Sequence, residues 1–141
     1  MINGVYLGEE IVIVTKNKVG LLADIAEITA RNGINIDAVL GYESGRSARI
    51  LVITRANLPI MTYLREKQYK YMRETEVVMV SLTDKPGAMK VVTGILKKNK
   101  INIKYIYVTS GTGGSSSRMV LQTSDNEKTM SLLTRYVEKN K

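Results

Sequence analysis

Ile11-Val12-Ile13-Val14-Thr15-Lys16-Asn17-Lys18-Val19-Gly20 decides the fold, because the chain writes it a second time. It returns 67 residues on as Val78-Met79-Val80-Ser81-Leu82-Thr83-Asp84-Lys85-Pro86-Gly87. The same offset carries Asn32-Gly33-Ile34-Asn35-Ile36 onto Asn99-Lys100-Ile101-Asn102-Ile103. Two separate blocks at one offset mean an internal duplication. A repeat this long is a small domain written twice, since solenoid units are shorter and come in at least about three copies.

Working outward, Ile11 to Val14 is an apolar, β-branched run that reads as a buried strand. Asn17 to Gly20 is a turn. Leu21, Leu22, Ile25 and Ile28 then recur at helical spacing, with Asp24, Glu27 and Arg31 facing elsewhere. Asn32-Gly33 stops this helix, Gly33 suiting a left-handed cap. Ile34 to Leu40 is a second strand, Gly41 to Ser47 a hairpin turn and Arg49 to Thr54 a third strand. Asn57-Leu58-Pro59 opens a second helix, with Asn57 as its expected cap. Tyr69 to Met72 is a short fourth strand.

The second copy repeats this order. Val77 to Leu82 is a strand, and Met89, Val92, Ile95 and Leu96 form the inner face of the next helix. Ile101 to Thr109 and Arg118 to Thr123 are strands joined by a Gly/Ser-rich tip, Ser110 to Ser117. Asp125 or Asn126 caps a last helix with Met130, Leu133 and Val137 inside. Beyond the tip the offset becomes 69 (Leu64 to Leu133), so that hairpin holds the two extra residues. The last helix is expected to run nearly to Lys141 and to leave no room for a fourth strand, while Ile2 to Leu7 is spare and strand-like. This segment is expected to fill the vacancy. The reading is an α+β chain with antiparallel sheets, divided as 1–72, with an extra N-terminal strand at 2–7, and 73–141.

Composition narrows the function classes. The chain has 141 residues, 44% of them hydrophobic and 24% charged, which is ordinary for a globular protein. No apolar run approaches the ~20 residues of a membrane-spanning helix. Glu9-Glu10 stand where a signal peptide would be apolar, and there is no cysteine. These features point to a cytoplasmic protein with no membrane partner. Histidine is absent too, so the commonest general base and the best nucleophile are both missing, and an enzyme is not expected. The carboxylates do not cluster as a metal site would, so neither metal nor cofactor is expected. Gly111-Thr112-Gly113-Gly114 joins two strands, unlike a phosphate-binding loop, and reads as a plain turn. Ser115-Ser116-Ser117 has no neighbouring base.

The net charge is +8, with nine Lys/Arg against seven Asp/Glu in residues 1–72 and twelve against six in 73–141. Such an excess suits nucleic acid, and the same strand-helix order builds RNA-recognition domains. A basic ferredoxin-like nucleic-acid-binding module is therefore the alternative. It is disfavoured because strands one and three carry no aromatic for base stacking; Tyr105 and Tyr107 lie in strand two. The two turns offer better chemistry. Gly20 and Gly87 lead into helix N-termini, whose free N–H groups suit a carboxylate. Asn35 and Asn102, poor strand formers, provide amides that donate and accept. Such a set fits a zwitterion.

These residues resemble the ACT domain, a small ligand-binding module of amino-acid metabolism. The carriers are Asp84-Lys85-Pro86-Gly87 with Ile101-Asn102-Ile103, and Asn17-Lys18-Val19-Gly20 with Gly33-Ile34-Asn35-Ile36. The resemblance covers about residues 9–72 and 75–141. It implies two ferredoxin-like βαββαβ units, their sheets paired side by side into one larger sheet. It implies a regulatory protein that binds a small effector, usually an amino acid, where two units meet, and modulates an amino-acid metabolic enzyme. A homodimer and a separate metabolic enzyme are the implied protein partners. The implied ligand-binding positions are Asn17, Lys18, Val19, Gly20, Leu21 and Asn35 in copy one. In copy two they are Asp84, Lys85, Pro86, Gly87, Ala88 and Asn102. Copy one departs from the pattern with Val19 in place of Pro, copy two with Lys100 in place of Gly. Asp37 becomes Lys104, so the two sites differ in charge.

Overall fold

The apolar run around Ile11 is the middle of a long strand. In the computed structural model, which describes residues 1–110 and 116–138, β1 spans Ile2–Lys16. It is followed by α1 (Leu21–Arg31), β2 (Ile36–Ser44), β3 (Ser47–Thr54) and α2 (Asn57–Glu66). Then come β4 (Tyr71–Thr83), α3 (Ala88–Lys98), β5 (Ile103–Thr109), β6 (Ser116–Thr123) and α4 (Asn126–Thr134). The expected turn at Gly111 to Gly114, with Ser115, lies outside the described residues, and Ser116 and Ser117 belong to strand β6.

The chain divides into two compact units. The first is Glu9–Thr75; the second combines Met1–Gly8 with Glu76–Lys141. The strand order is β2-β3-β1-β4 in the first and β1-β4-β6-β5 in the second. Each is a βαββαβ arrangement of the α+β class. The boundary falls within β1 and within β4, where the sequence suggests separate short strands. Neither strand meets a proline. Gly8 stays extended within β1, and a side chain there would reach within 2.8 Å of the Met79 sulfur.

The ladders repeat as the sequence does. Ile11 faces Val52 and Lys16 faces Ser47; Val78 faces Leu121 and Thr83 faces Ser116, all antiparallel. Both second strands slip register at one position, between Ile36 and Ala38 and between Ile103 and Tyr105. Each unit has its own core. Ile11, Ile13, Ile25, Ile28, Ile50 and Leu64 are buried in the first; Val78, Val80, Val92, Ile95, Met119 and Leu133 are buried in the second. These are the same six positions twice. Two residues expected inside are not: Leu22 is 47% exposed and its counterpart Met89 is 49% exposed. Leu21 and Ala88 take the inward positions in their place.

Helix ends explain part of what the duplication kept. Gly33, at φ 65°, donates to Ala30 O, and Ile34 N–H donates to Thr29 O. Lys100, at φ 56°, and Ile101 repeat the pair of bonds to Lys97 O and Leu96 O. This left-handed cap satisfies the last helical carbonyls. Asn32 and Asn99 add their amides to the carbonyls of Ile28 and Ile95, each at 2.8 Å.

Asn57 corrects its expected role. Ala56 is the N-cap of α2 and makes no side-chain cap bond. The Asn57 amide oxygen instead accepts from Thr54 N–H at 3.2 Å and from Thr54 Oγ1 at 2.7 Å, while its NH2 donates to Glu9 O at 3.0 Å. Asn126 repeats this lock with Thr123 and Glu76 O. Asp125 is the true cap of α4, accepting from Lys128 N–H at 3.0 Å.

The N-terminal segment occupies the fourth-strand place of the second unit. Helix α4 stops at Thr134, short of its expected length, so Val137 lies beyond it and bridges Ile2 in parallel. Ile2 is 1% exposed within the second core. Its carbonyl accepts from Glu138 N–H at 2.8 Å, and Met1 O accepts from Thr83 N–H at 2.8 Å. Burying one isoleucine is worth about 1.5–3 kcal/mol and each hydrogen bond about 1 kcal/mol. Deleting residues 1–8 is therefore expected to cost about 3–5 kcal/mol, read as a lower melting temperature; an unchanged melt rejects this account. A left-handed lysine is strained where glycine is not, so Lys100→Gly is expected to stabilise by about 0.5–1 kcal/mol while Gly33→Ala destabilises. The midpoint of urea unfolding measures both.

Candidate functional site

The turn between β1 and α1 lies against the β2–β3 hairpin, because Lys16 pairs with Ser47 beside the two-residue turn Gly45-Arg46. Asn17 N–H donates to Arg46 O at 3.0 Å, and the Asn17 amide donates to the Glu43 carboxylate. Gly20 stands at φ 92°, caps α1 and supplies no side chain there. The backbone thus enters the helix with its first N–H groups uncovered by a side-chain cap. Lys18 is exposed, with Nζ 5.6 Å from the centre of the Tyr69 ring. Val19 is wholly exposed, whereas Leu21 is buried in the core.

The turn, Val19 excepted, borders a groove of about 290 Å³. Asn17, Lys18, Gly20 and Leu21 form one wall, and Tyr42, Glu43 and Arg49 come from the strands opposite. The groove offers N–H donors, cations from Lys18 and Arg49, one carboxylate from Glu43, and apolar surface from Leu22 and Tyr42. Tyr42, Glu43 and Arg49 were missed by the sequence reading. The signal was present: a hairpin that turns at Gly45-Arg46 brings its flanking residues beside the strand that pairs with it.

The second turn is built differently. Asp84, Lys85, Pro86 and Gly87 are all exposed, and Gly87 repeats the left-handed cap at φ 93°. Ala88 N–H, the first of α3, is taken by Lys85 O at 3.3 Å, and Lys85 N–H by Thr83 O at 3.0 Å. The Met1 methyl lies 3.7 Å from where a Gly87 side chain would begin. This turn closes on itself under the N-terminal residue. The first turn makes no equivalent bond among the described residues.

Within a unit, the turns do not meet the asparagines. Asn35 immediately precedes β2, whose Ile36 pairs with Thr54, the far end of β3 from Ser47. Seven residues of strand separate them, roughly 23 Å. Asn35 is exposed and donates to Asp37 Oδ1 at 3.3 Å, and Asp37 also faces Arg55 at 3.7 Å. Asn102 sits equivalently, its N–H donating to Ser124 Oγ at 3.0 Å and its carbonyl accepting from Ser124 N–H at 2.9 Å.

On the other side of Lys18, Tyr69 donates its hydroxyl to Asp24 Oδ2 at 3.1 Å. Burial first, then the hydrogen bond and charge of Asp24, raise the phenol above its usual value, so it stays protonated at neutral pH. Among the described residues no group of His, Cys, Asp or Glu could hold a metal ion, and no helix is long and apolar enough to cross a membrane.

Residues 78–139 match the AHAS small subunit-like ACT domain family. No curated protein sequence matches the chain. Among solved structures, protein BT0572 from Bacteroides thetaiotaomicron is 23% identical, covering 94% of this chain and 90% of its own, with a TM-score of 0.84. The regulatory subunit of aspartate kinase from Thermus thermophilus, in its ligand-free form, is 15% identical over 97% of this chain and 99% of its own, with a TM-score of 0.63. That from Thermus flavus is 14% identical over 97% and 99%, with a TM-score of 0.57. At these identities the likeness is one of fold. The part of the chain that carries Asp84-Lys85-Pro86-Gly87 and Ile101-Asn102-Ile103 is an ACT-like domain.

Proposed function

We propose that this protein is a tandem ACT-domain regulator that binds a small zwitterion, an amino acid, and modulates an enzyme of amino-acid metabolism. The observation that carries this reading is the groove at the first β1–α1 turn. Its volume of about 290 Å³ stands at the small end of ligand sites. The effector carboxylate is received by the N–H groups that follow Gly20 and by Lys18, its ammonium by Glu43 and its side chain by Leu22 and Tyr42. The positive end of the α1 dipole favours the carboxylate. The ACT-like domain at residues 78–139, and the fold shared with aspartate kinase regulatory subunits, support the regulatory role.

The open first turn is the working site, and the self-closed second turn has the weaker claim. Asn35 stands too far from its own turn to touch the same ligand. It and Asn102 contribute only where a second copy of the chain brings an asparagine to a turn, which is the function we assign to a homodimer. The regulated enzyme is a separate chain. The absence of histidine and cysteine from the sequence favours a non-catalytic role.

A thermal-shift screen against the twenty amino acids tests the proposal. A ligand at 100 times its dissociation constant adds about 2.7 kcal/mol of stability. Asn17→Ala and Glu43→Ala are expected to abolish the shift, and Asp84→Ala to leave most of it. Asn35→Ala is expected to weaken binding only under conditions where sedimentation shows a dimer. No shift with any amino acid rejects the reading.

A further inference from the structure

A second cleft in the first unit carries a different chemistry. It lies where the end of β1 meets the link between α2 and β4, and has a volume of about 430 Å³. Lys16 comes from the end of β1 and Lys18 from the turn after it; Lys67 ends α2 and Lys70 precedes β4. Tyr69 and Tyr71 complete the wall, and no acidic residue lines it. The four lysines are four of the nine basic residues in positions 1–72, yet all are exposed at one cleft. None forms an ion pair among the described residues. Asp24, close by on α1, is engaged by the Tyr69 hydroxyl at 3.1 Å.

The backbone holds this cluster in place. Gln68 adopts φ 71° and donates to Arg65 O at 2.9 Å, while Tyr69 N–H donates to Leu64 O at 3.0 Å. This left-handed cap buries the Tyr69 ring in the core and leaves Lys67 and Lys70 on either side of the reversal. A group of like charges opposes folding unless something offsets it.

The duplication supplies an internal comparison. At the offsets that align the copies, Lys16 becomes Thr83, Lys67 becomes Tyr136 and Tyr69 becomes Glu138, while Lys18 and Lys70 fall on Lys85 and Lys139. Glu138 already pairs with the N-terminal amine of Met1. The fold therefore does not require all four lysines, since the second copy keeps two of them and replaces the Lys16 and Lys67 positions.

We infer that this cleft binds a phosphorylated small molecule, its phosphates held by Lys16, Lys18, Lys67 and Lys70. The ammonium groups supply multiple N–H donors and high charge density at short reach, which suits a compact polyanion better than a single carboxylate. Tyr71, 73% exposed at the rim, offers a face on which a ring of the ligand can stack. A nucleic-acid strand would need a basic track with successive stacking platforms; the cleft is short, and only two of its four lysines recur in the second copy. This inference is independent of the amino-acid groove. Lys18 borders both clefts, so it is left unaltered in the test.

Calorimetric titration of the full chain with inorganic triphosphate, at about 0.15 M salt to suppress diffuse attraction, tests it. One triphosphate is expected to bind per chain. The double variant Lys67→Ala/Lys70→Ala is expected to weaken binding about tenfold. Lys97→Ala/Lys98→Ala removes the same charge from α3 and is expected to leave it unchanged. Circular-dichroism melts of both variants check that the fold is intact. No binding by the native chain, or equal loss in the two variants, overturns the proposal. So does a short single-stranded RNA that binds through the same lysines more tightly than triphosphate.

Discussion

The Ile2 side chain packs among Val80, Leu82 and Leu133 in the second core, and the backbone around it is tied by bonds from Thr83 to Met1 and from Glu138 to Ile2. A βαββαβ unit needs four strands. Among the described residues the second unit has three from its own copy, β4, β5 and β6, and chain from before the first copy takes the fourth place. Without that segment an open strand edge and apolar core would face water. The first residues of the chain are thus structural parts of its last domain.

The same constraint makes the two turns unequal. Since the N-terminal segment belongs to the second unit, Met1 comes to rest beside Gly87 and closes that turn. Gly20 has no such neighbour within 4 Å among the described residues, and it leads into an open groove. The copies share the left-handed glycine and the helix behind it, yet filling the fourth-strand place covers one turn and leaves the other free. The four-lysine cleft lies in the first unit; where it has Tyr69 the second has Glu138, paired with the Met1 amine. Both clefts lie in the unit that borrowed no strand.

Local bonds account for much of what the two copies share. Asn32 and Asn99 bond the carbonyls of their own helices, and the next residue takes the left-handed cap. Their presence in both copies is a matter of backbone satisfaction. Thr54 with Asn57, and Thr123 with Asn126, form a lock at the start of the second helix of each copy. That lock lies outside the two blocks that share the offset of 67, because the longer hairpin changes the offset to 69.

Sequence alone determined the class, the element order, most of both cores and the left-handed cap at Gly33. These come from short-range periodicity and from backbone sterics, and the second copy checked each reading of the first. It placed Leu22 and Met89 inside because helical spacing cannot tell which edge of an apolar stripe meets the sheet. Tertiary structure alone decided that β1 and β4 are continuous, that Asn57 is a lock and not a cap, and that each turn stands about a strand's length from its asparagine. It alone gathered Tyr42 and Glu43 at one cleft and four lysines at another. The physical reason is that strand register and chain reversal bring together residues far apart in sequence, and one-dimensional spacing carries no record of which ends of two strands lie side by side.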